Sequence, residues 1–112
     1  MAKLWKVVYT RSARQDLFNI DDYIRYNLQS PLSANNITNQ LSRTIESLNY
    51  MPLKYARYPK EPWYSWGLRF LPVAHYIIFY HPEEEKEEVQ IIRIMYSGED
   101  VFKHLPNSLK ID

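Results

Sequence analysis

Between Leu68 and Leu105 the chain sets out Leu68-Arg69-Phe70-Leu71-Pro72-Val73, then His75-Tyr76-Ile77-Ile78-Phe79-Tyr80, and, after an acidic turn, Val89-Gln90-Ile91-Ile92-Arg93-Ile94-Met95-Tyr96. Apolar runs this long, rich in β-branched and aromatic residues and joined by tight connections, form strands. The stretch reads as a meander of antiparallel strands, closed by a short C-terminal helix over Ser97-Gly98-Glu99-Asp100-Val101-Phe102-Lys103-His104-Leu105. Arg69 and Arg93 then weigh most, because a guanidinium inside a hydrophobic strand is costly unless it meets an anion or a carboxylate.

Upstream, Leu4 to Tyr9 is an unbroken β-branched and aromatic run, the pattern of a first strand buried on both faces. Ser12 and Gln15 have capping-box spacing, and Ala13, Leu17, Ile20, Ile24 and Leu28 follow as the apolar stripe of a first helix. Ser30-Pro31 supplies a cap and a first-turn proline for a second, with the stripe Ala34, Ile37, Leu41, Ile45 and Leu48 ending before Pro52. Two stripes joined by a short connection favour an antiparallel hairpin, and the surface they share must be the sheet. The expected fold is α+β, a single domain over residues 1–112. It has a small antiparallel-rich sheet with an N-terminal strand, a helical hairpin on one face and a short C-terminal helix.

A chain of 112 residues, 46% hydrophobic and poor in glycine, is long enough for one domain with a real core. The net charge of +1 is uneven: Glu83 to Glu88 carries −4 and the rest +5, a basic body with an acidic tip. That tip also serves simply to keep a hairpin soluble. No apolar run reaches the ~18 residues of a membrane span, and Met1-Ala2-Lys3-Leu4-Trp5-Lys6 lacks a signal-peptide apolar region. With no cysteine either, a cytoplasmic location without membrane contact is expected. Three histidines without metal-ligand spacing, Gly67 and Gly98 as the only glycines, and serines outside any nucleophile elbow predict no metal and no cofactor.

The connection from Pro52 to Gly67 holds three prolines, which rule out a regular helix, and exceeds an ordinary loop in length. Lys54, Arg57 and Lys60 alternate there with Tyr55, Tyr58, Trp63, Tyr64 and Trp66. Cations beside flat rings suit single-stranded nucleic acid, and Lys54, Arg57, Lys60, Tyr55 and Trp63 are the candidate contacts. The competing reading folds these rings back to close the end of the core.

The element order and several motifs together resemble the RelE/ParE superfamily of bacterial type II toxins. Tyr9-Thr10-Arg11-Ser12-Ala13-Arg14-Gln15-Asp16-Leu17 is similar to the opening of its first helix, and Pro52 to the proline that closes its second. Leu68-Arg69 through Tyr80 resembles its central strands, and Val89 through Tyr96 with Asp100 its last strand and turn. The resemblance implies a growth-inhibiting protein neutralised by a small cognate antitoxin that wraps around it. The superfamily divides into ribosome-dependent mRNA endonucleases and DNA gyrase poisons, and fold does not choose between them.

Metal-free RNA cleavage needs a base for the 2′-hydroxyl, a cation over the phosphate and an acid for the leaving oxygen. Arg69 is the leading phosphate candidate, with a salt bridge to Glu99 or Asp100 as its structural alternative. Arg93 is similar to a strand arginine of the family and also serves to anchor the C-terminal turn. Proton-transfer candidates are His75, His81, Tyr96 and His104. The expectation is a toxin that cleaves mRNA on the ribosome, as a metal-independent endoribonuclease. The alternatives are a gyrase poison of the ParE type, which needs a binding surface and no proton-transfer pair, and a non-toxic relative that only binds its antitoxin. Many relatives carry a basic residue where Glu99 stands, and a carboxylate there repels a phosphate unless it acts as a general base.

Overall fold

Thr10 opens the first helix and fixes its start. The Thr10 Oγ1 accepts from the Ala13 backbone N–H at 3.0 Å and donates to the Ile92 carbonyl at 2.9 Å, so one buried hydroxyl caps the helix and ties it to the sheet. The expected capping box at Ser12 is corrected by this contact: Thr10 is the cap, and the Gln15 amide donates forward to Asn19 at 2.8 Å.

The computed structural model describes residues 3–98 and Leu105. In chain order it contains strand β1 (Lys6–Tyr9), helix α1 (Arg11–Asp22) running into a π-helical turn (Tyr23–Asn27), and helix α2 (Pro31–Ser47). A 3₁₀ turn (Pro52–Lys54), a one-turn helix α3 (Trp63–Trp66) and strands β2 (Arg69–Val73), β3 (Tyr76–Glu83) and β4 (Glu88–Tyr96) follow. The expected C-terminal helix, with Glu99, Asp100 and His104, falls outside the described residues apart from Leu105.

The four strands lie in the order β1-β4-β3-β2. The meander expected from the sequence forms β2, β3 and β4, with Arg69 opposite Tyr80 and Tyr76 opposite Tyr96. β1 pairs parallel to β4, from Lys6 opposite Glu88 to Tyr9 opposite Ile91. It is an edge strand, exposed at Lys6 and half-buried elsewhere, so the expectation of burial on both faces is corrected. Among the described residues no further strand pairs with its outer edge.

One face of the sheet carries the helical hairpin. Ala13, Leu41, Ile45 and Leu48 pack on Val73, Ile78, Tyr80, Val89, Ile91 and Ile94, at roughly 1.5 to 3 kcal/mol for each large side chain removed from water. The α1 stripe holds through Ile24 and breaks at Leu28, which is 56% exposed. The π turn, closed by Leu28 N–H to the Tyr23 carbonyl, inserts one extra residue and so swings the following side chains by about 100° off the stripe.

The opposite face is covered by the proline-rich connection. Trp63, Leu68, Phe79, Ile92, Met95 and Leu105 form a second core, with Tyr58 edge-to-face against Trp63, Phe70 and Phe79. A bulge in β4 makes this two-sided burial work. Phe79 faces Arg93 and Tyr80 faces Ile91, so Ile92 is the extra residue and turns into the second core while Ile91 and Ile94 both face the helices.

Candidate functional site

At the end of the sheet where β3 begins and β4 ends, the helical hairpin leaves a groove of about 850 Å³. Its floor is apolar, from Ile20, Ile24, Ile37 and Ile94, and its rim carries Tyr23, Leu28, His75 and Tyr96. Tyr23 is 53% exposed and Tyr96 52%, which is unusual for large rings over an apolar floor. Tyr76 meets Tyr96 edge-to-face at 5.8 Å. Burial, with the neighbouring phenols of Tyr96 and Tyr23, pushes the Tyr76 phenol up, which holds it neutral at physiological pH.

Arg93 lies on the wall of this groove in a bidentate pair with Asp16: Nε donates to Oδ2 at 2.6 Å and Nη2 to Oδ1 at 2.8 Å. The Ile94 N–H also donates to Asp16 at 2.9 Å. The carboxylate therefore receives three donors from β4 and bolts α1 to the sheet. With the two side chains only 23% and 11% exposed, removing either partner would strand the other charge at a cost of about 3 kcal/mol. Asp16 was legible in principle: it shares a helical face with Ala13 and Ile20, where a carboxylate needs a partner.

Arg69 sits elsewhere. It stands at the far end of β2 from Val73, roughly 13 Å along the strand at ~3.3 Å per residue. Its Nη1 donates to the carbonyls of Leu53 at 3.2 Å and Tyr55 at 2.5 Å, and Tyr80 OH donates to the Pro52 carbonyl at 2.7 Å. The guanidinium thus serves the backbone of the 52–55 turn, and the alternative partners Glu99 and Asp100 lie outside the described residues. The buried Nε of Arg69 has no hydrogen-bond partner among the described residues. Burial pushes the Tyr80 phenol well up, against a lowering pull from Arg69, so it stays a donor.

Of the candidate catalytic residues, the structure brings His75, Arg93 and Tyr96 to one groove and leaves Arg69 apart; His104 lies outside the described residues. His81, on β3, faces Gln90 at 3.4 Å, away from the groove. Tyr23 and Tyr76 join the groove without having been singled out, because only the packing of α1 on the sheet and the strand register place them there. In the connection, Lys54, Arg57 and Lys60 are exposed. Lys54 lies over the Tyr55 ring at 5.2 Å and Arg57 over the Tyr64 ring at 5.4 Å. Trp63 is 3% exposed, so the expected stacking surface is corrected: its ring belongs to the second core.

Among the described residues no group of histidines and carboxylates could hold a metal ion, and no helix is long and apolar enough to cross a membrane. A helical hairpin on one face of this mixed sheet, with a groove at the sheet's end, is the architecture of a RelE/ParE superfamily toxin. Residues 7–101 match the family model of the ParE toxin of the type II toxin-antitoxin system parDE, and the protein belongs to that family. No curated protein matches the chain. Among solved structures, a chain of the chromosomal ParDE system from P. aeruginosa is similar with a TM-score of 0.68 and 24% identity, covering 83% of this chain and 96% of that one. A chain of the toxin-antitoxin complex RelBE2 from Mycobacterium tuberculosis is similar with a TM-score of 0.60 and 18% identity, covering 87% of this chain and 95% of that one. At such identities the likeness is one of fold.

Proposed function

We propose that this toxin inhibits growth by binding DNA gyrase, and that a small cognate antitoxin silences it by filling the groove beside the helical hairpin. The observation that carries the target is the use made of the strand arginines. Arg93 is engaged by Asp16, and Arg69 is turned onto the carbonyls of Leu53 and Tyr55, a strand's length from His75 and Tyr96. RNA cleavage asks for a cation and a proton-transfer group around one phosphate, and these contacts favour neither arginine for that role. A poison that acts by binding needs only a shaped surface.

The antitoxin reading is supported by the groove itself. Apolar floor residues and exposed Tyr23, Leu28 and Tyr96 suit the apolar face of an amphipathic helix. The similar structures were solved as a ParDE system and as a toxin-antitoxin complex, which agrees with that partner.

Ribosome-dependent cleavage of mRNA is the second reading, favoured by the exposed Lys54, Arg57 and Lys60. Brief induction in cells, with DNA damage and protein synthesis followed separately, decides between them. The gyrase reading expects an early DNA-damage response and, with purified gyrase, toxin-dependent breaks in supercoiled DNA. Immediate loss of translation with cut mRNA and intact DNA would overturn it.

A further inference from the structure

The groove, the acidic hairpin at Glu83 to Glu88 and the connection before β2 all lie on the surface of the described residues. The connection is not a slack loop. Arg69 holds the carbonyls of Leu53 and Tyr55, Tyr58 N–H donates to the Leu68 carbonyl at 2.8 Å, and Phe70 N–H to the Ala56 carbonyl at 3.3 Å. Trp63 is buried beneath it. The segment is thus pinned along its length, with Lys54, Arg57 and Lys60 on its outer side.

We infer that this pinned cationic face is a second binding surface, which grips the phosphate backbone of duplex DNA. The inference extends the gyrase reading, in which the protein target is itself bound to duplex DNA. The choice of duplex over a single strand comes from the rings. A single strand is held by stacking its bases on open aromatic faces. Here Trp63 and Tyr58 are turned into the second core, the Tyr55 face lies under Lys54, and the Tyr64 face lies under Arg57.

Beside the partly exposed Tyr64 ring, the outer side carries positive charge, and Lys54 and Arg57 are already held over rings, so little of their side-chain freedom is lost on meeting a phosphate. The nearby carboxylate, Glu61, is occupied by the Ser65 N–H at 2.9 Å and the Ser65 hydroxyl at 2.6 Å. Phosphates need cations and no base contact, which fits sequence-independent binding to a duplex whose bases face inward.

The test is equilibrium binding of the purified toxin to a fluorescently labelled DNA duplex of mixed sequence across a series of salt concentrations. Three phosphate contacts give a slope of log K against log salt of about −2.7, at ~0.9 per contact. Lys54→Gln, Arg57→Gln and Lys60→Gln combined should bring the slope close to zero with the thermal midpoint unchanged. The same charge loss at exposed Lys6, Arg43 and Lys86 should leave it in place. The proposal is overturned if the native protein shows no salt-dependent binding, if the control triple loses as much as the loop triple, or if RNA or single-stranded DNA of equal length binds more tightly than the duplex. Because gyrase is absent from this measurement, its failure leaves the gyrase reading untouched. Toxin-dependent gyrase breaks, measured separately, can likewise fail while the duplex slope stands.

Discussion

Arg69 and Arg93 look alike in the sequence, each a single guanidinium within an apolar strand, yet they do different structural work. Arg93 answers a carboxylate from a helix, and Arg69 answers two carbonyls of a turn. Both were legible as residues that must find a partner, because the desolvation cost of a strand arginine is visible in its neighbours. Their partners were not. Arg69→Met keeps the aliphatic stem and deletes the donors. It should cost about 2 kcal/mol, since charged hydrogen bonds to two carbonyls are lost, and should loosen the 52–58 backbone. Urea unfolding with an unchanged m-value and faster amide exchange confined to that segment would be the signature. An Arg69→Met protein as stable as the native one, but without toxicity, would return Arg69 to a phosphate-binding role.

At the scale of elements, the helical hairpin followed directly from its two apolar stripes, but its closure did not. The π turn swings Leu28 off the α1 stripe, and a polar clasp spans the two helices beside it: Arg25 is bidentate to Asp21, Thr38 OH donates to Asp21 at 3.0 Å, and Arg25 donates to Asn35 at 2.7 Å. Hydrogen bonding from Arg25, then from Thr38, holds the Asp21 carboxyl below the usual carboxylate range. A depressed carboxyl contributes stability that is present above its unfolded pKa of ~4 and is lost as pH falls through its folded value. The hairpin should therefore weaken in acid. Asp21→Asn should lower the thermal midpoint at pH 7 and bring it closer to that of the native protein at pH 3; an equal gap at both pH values would show that the clasp does not titrate. The proline-rich connection was the other ambiguous element, with rings suited either to stacking or to burial. Burial prevailed for Trp63 because Phe79, Ile92 and Met95 leave the far face of the sheet apolar, and covering it gains more than exposing a ring.

For the whole molecule, the distribution of exposed apolar residues points to a chain that is completed by its partner. Tyr23, Tyr26, Leu28, Leu32 and Tyr96 are all at least half exposed at the hairpin end. An antitoxin segment that covers this end should raise the thermal midpoint of the toxin with concentration, by mass action, and gain helix on binding. Replacing Leu28 and Tyr23, both more than half exposed, by serine should weaken that complex at least tenfold while the free toxin keeps its midpoint; an unchanged affinity would move the antitoxin to another surface. The sequence by itself determined the element order, the stripes of both helices, the meander and the family resemblance, because these rest on periodicity and turn chemistry within short windows. Tertiary structure decided the parallel pairing of β1, the burial of Trp63 and the split between the two arginines. Those outcomes depend on a single-residue bulge in β4 and on contacts such as Asp16 with Arg93, 77 positions apart, which no local pattern encodes.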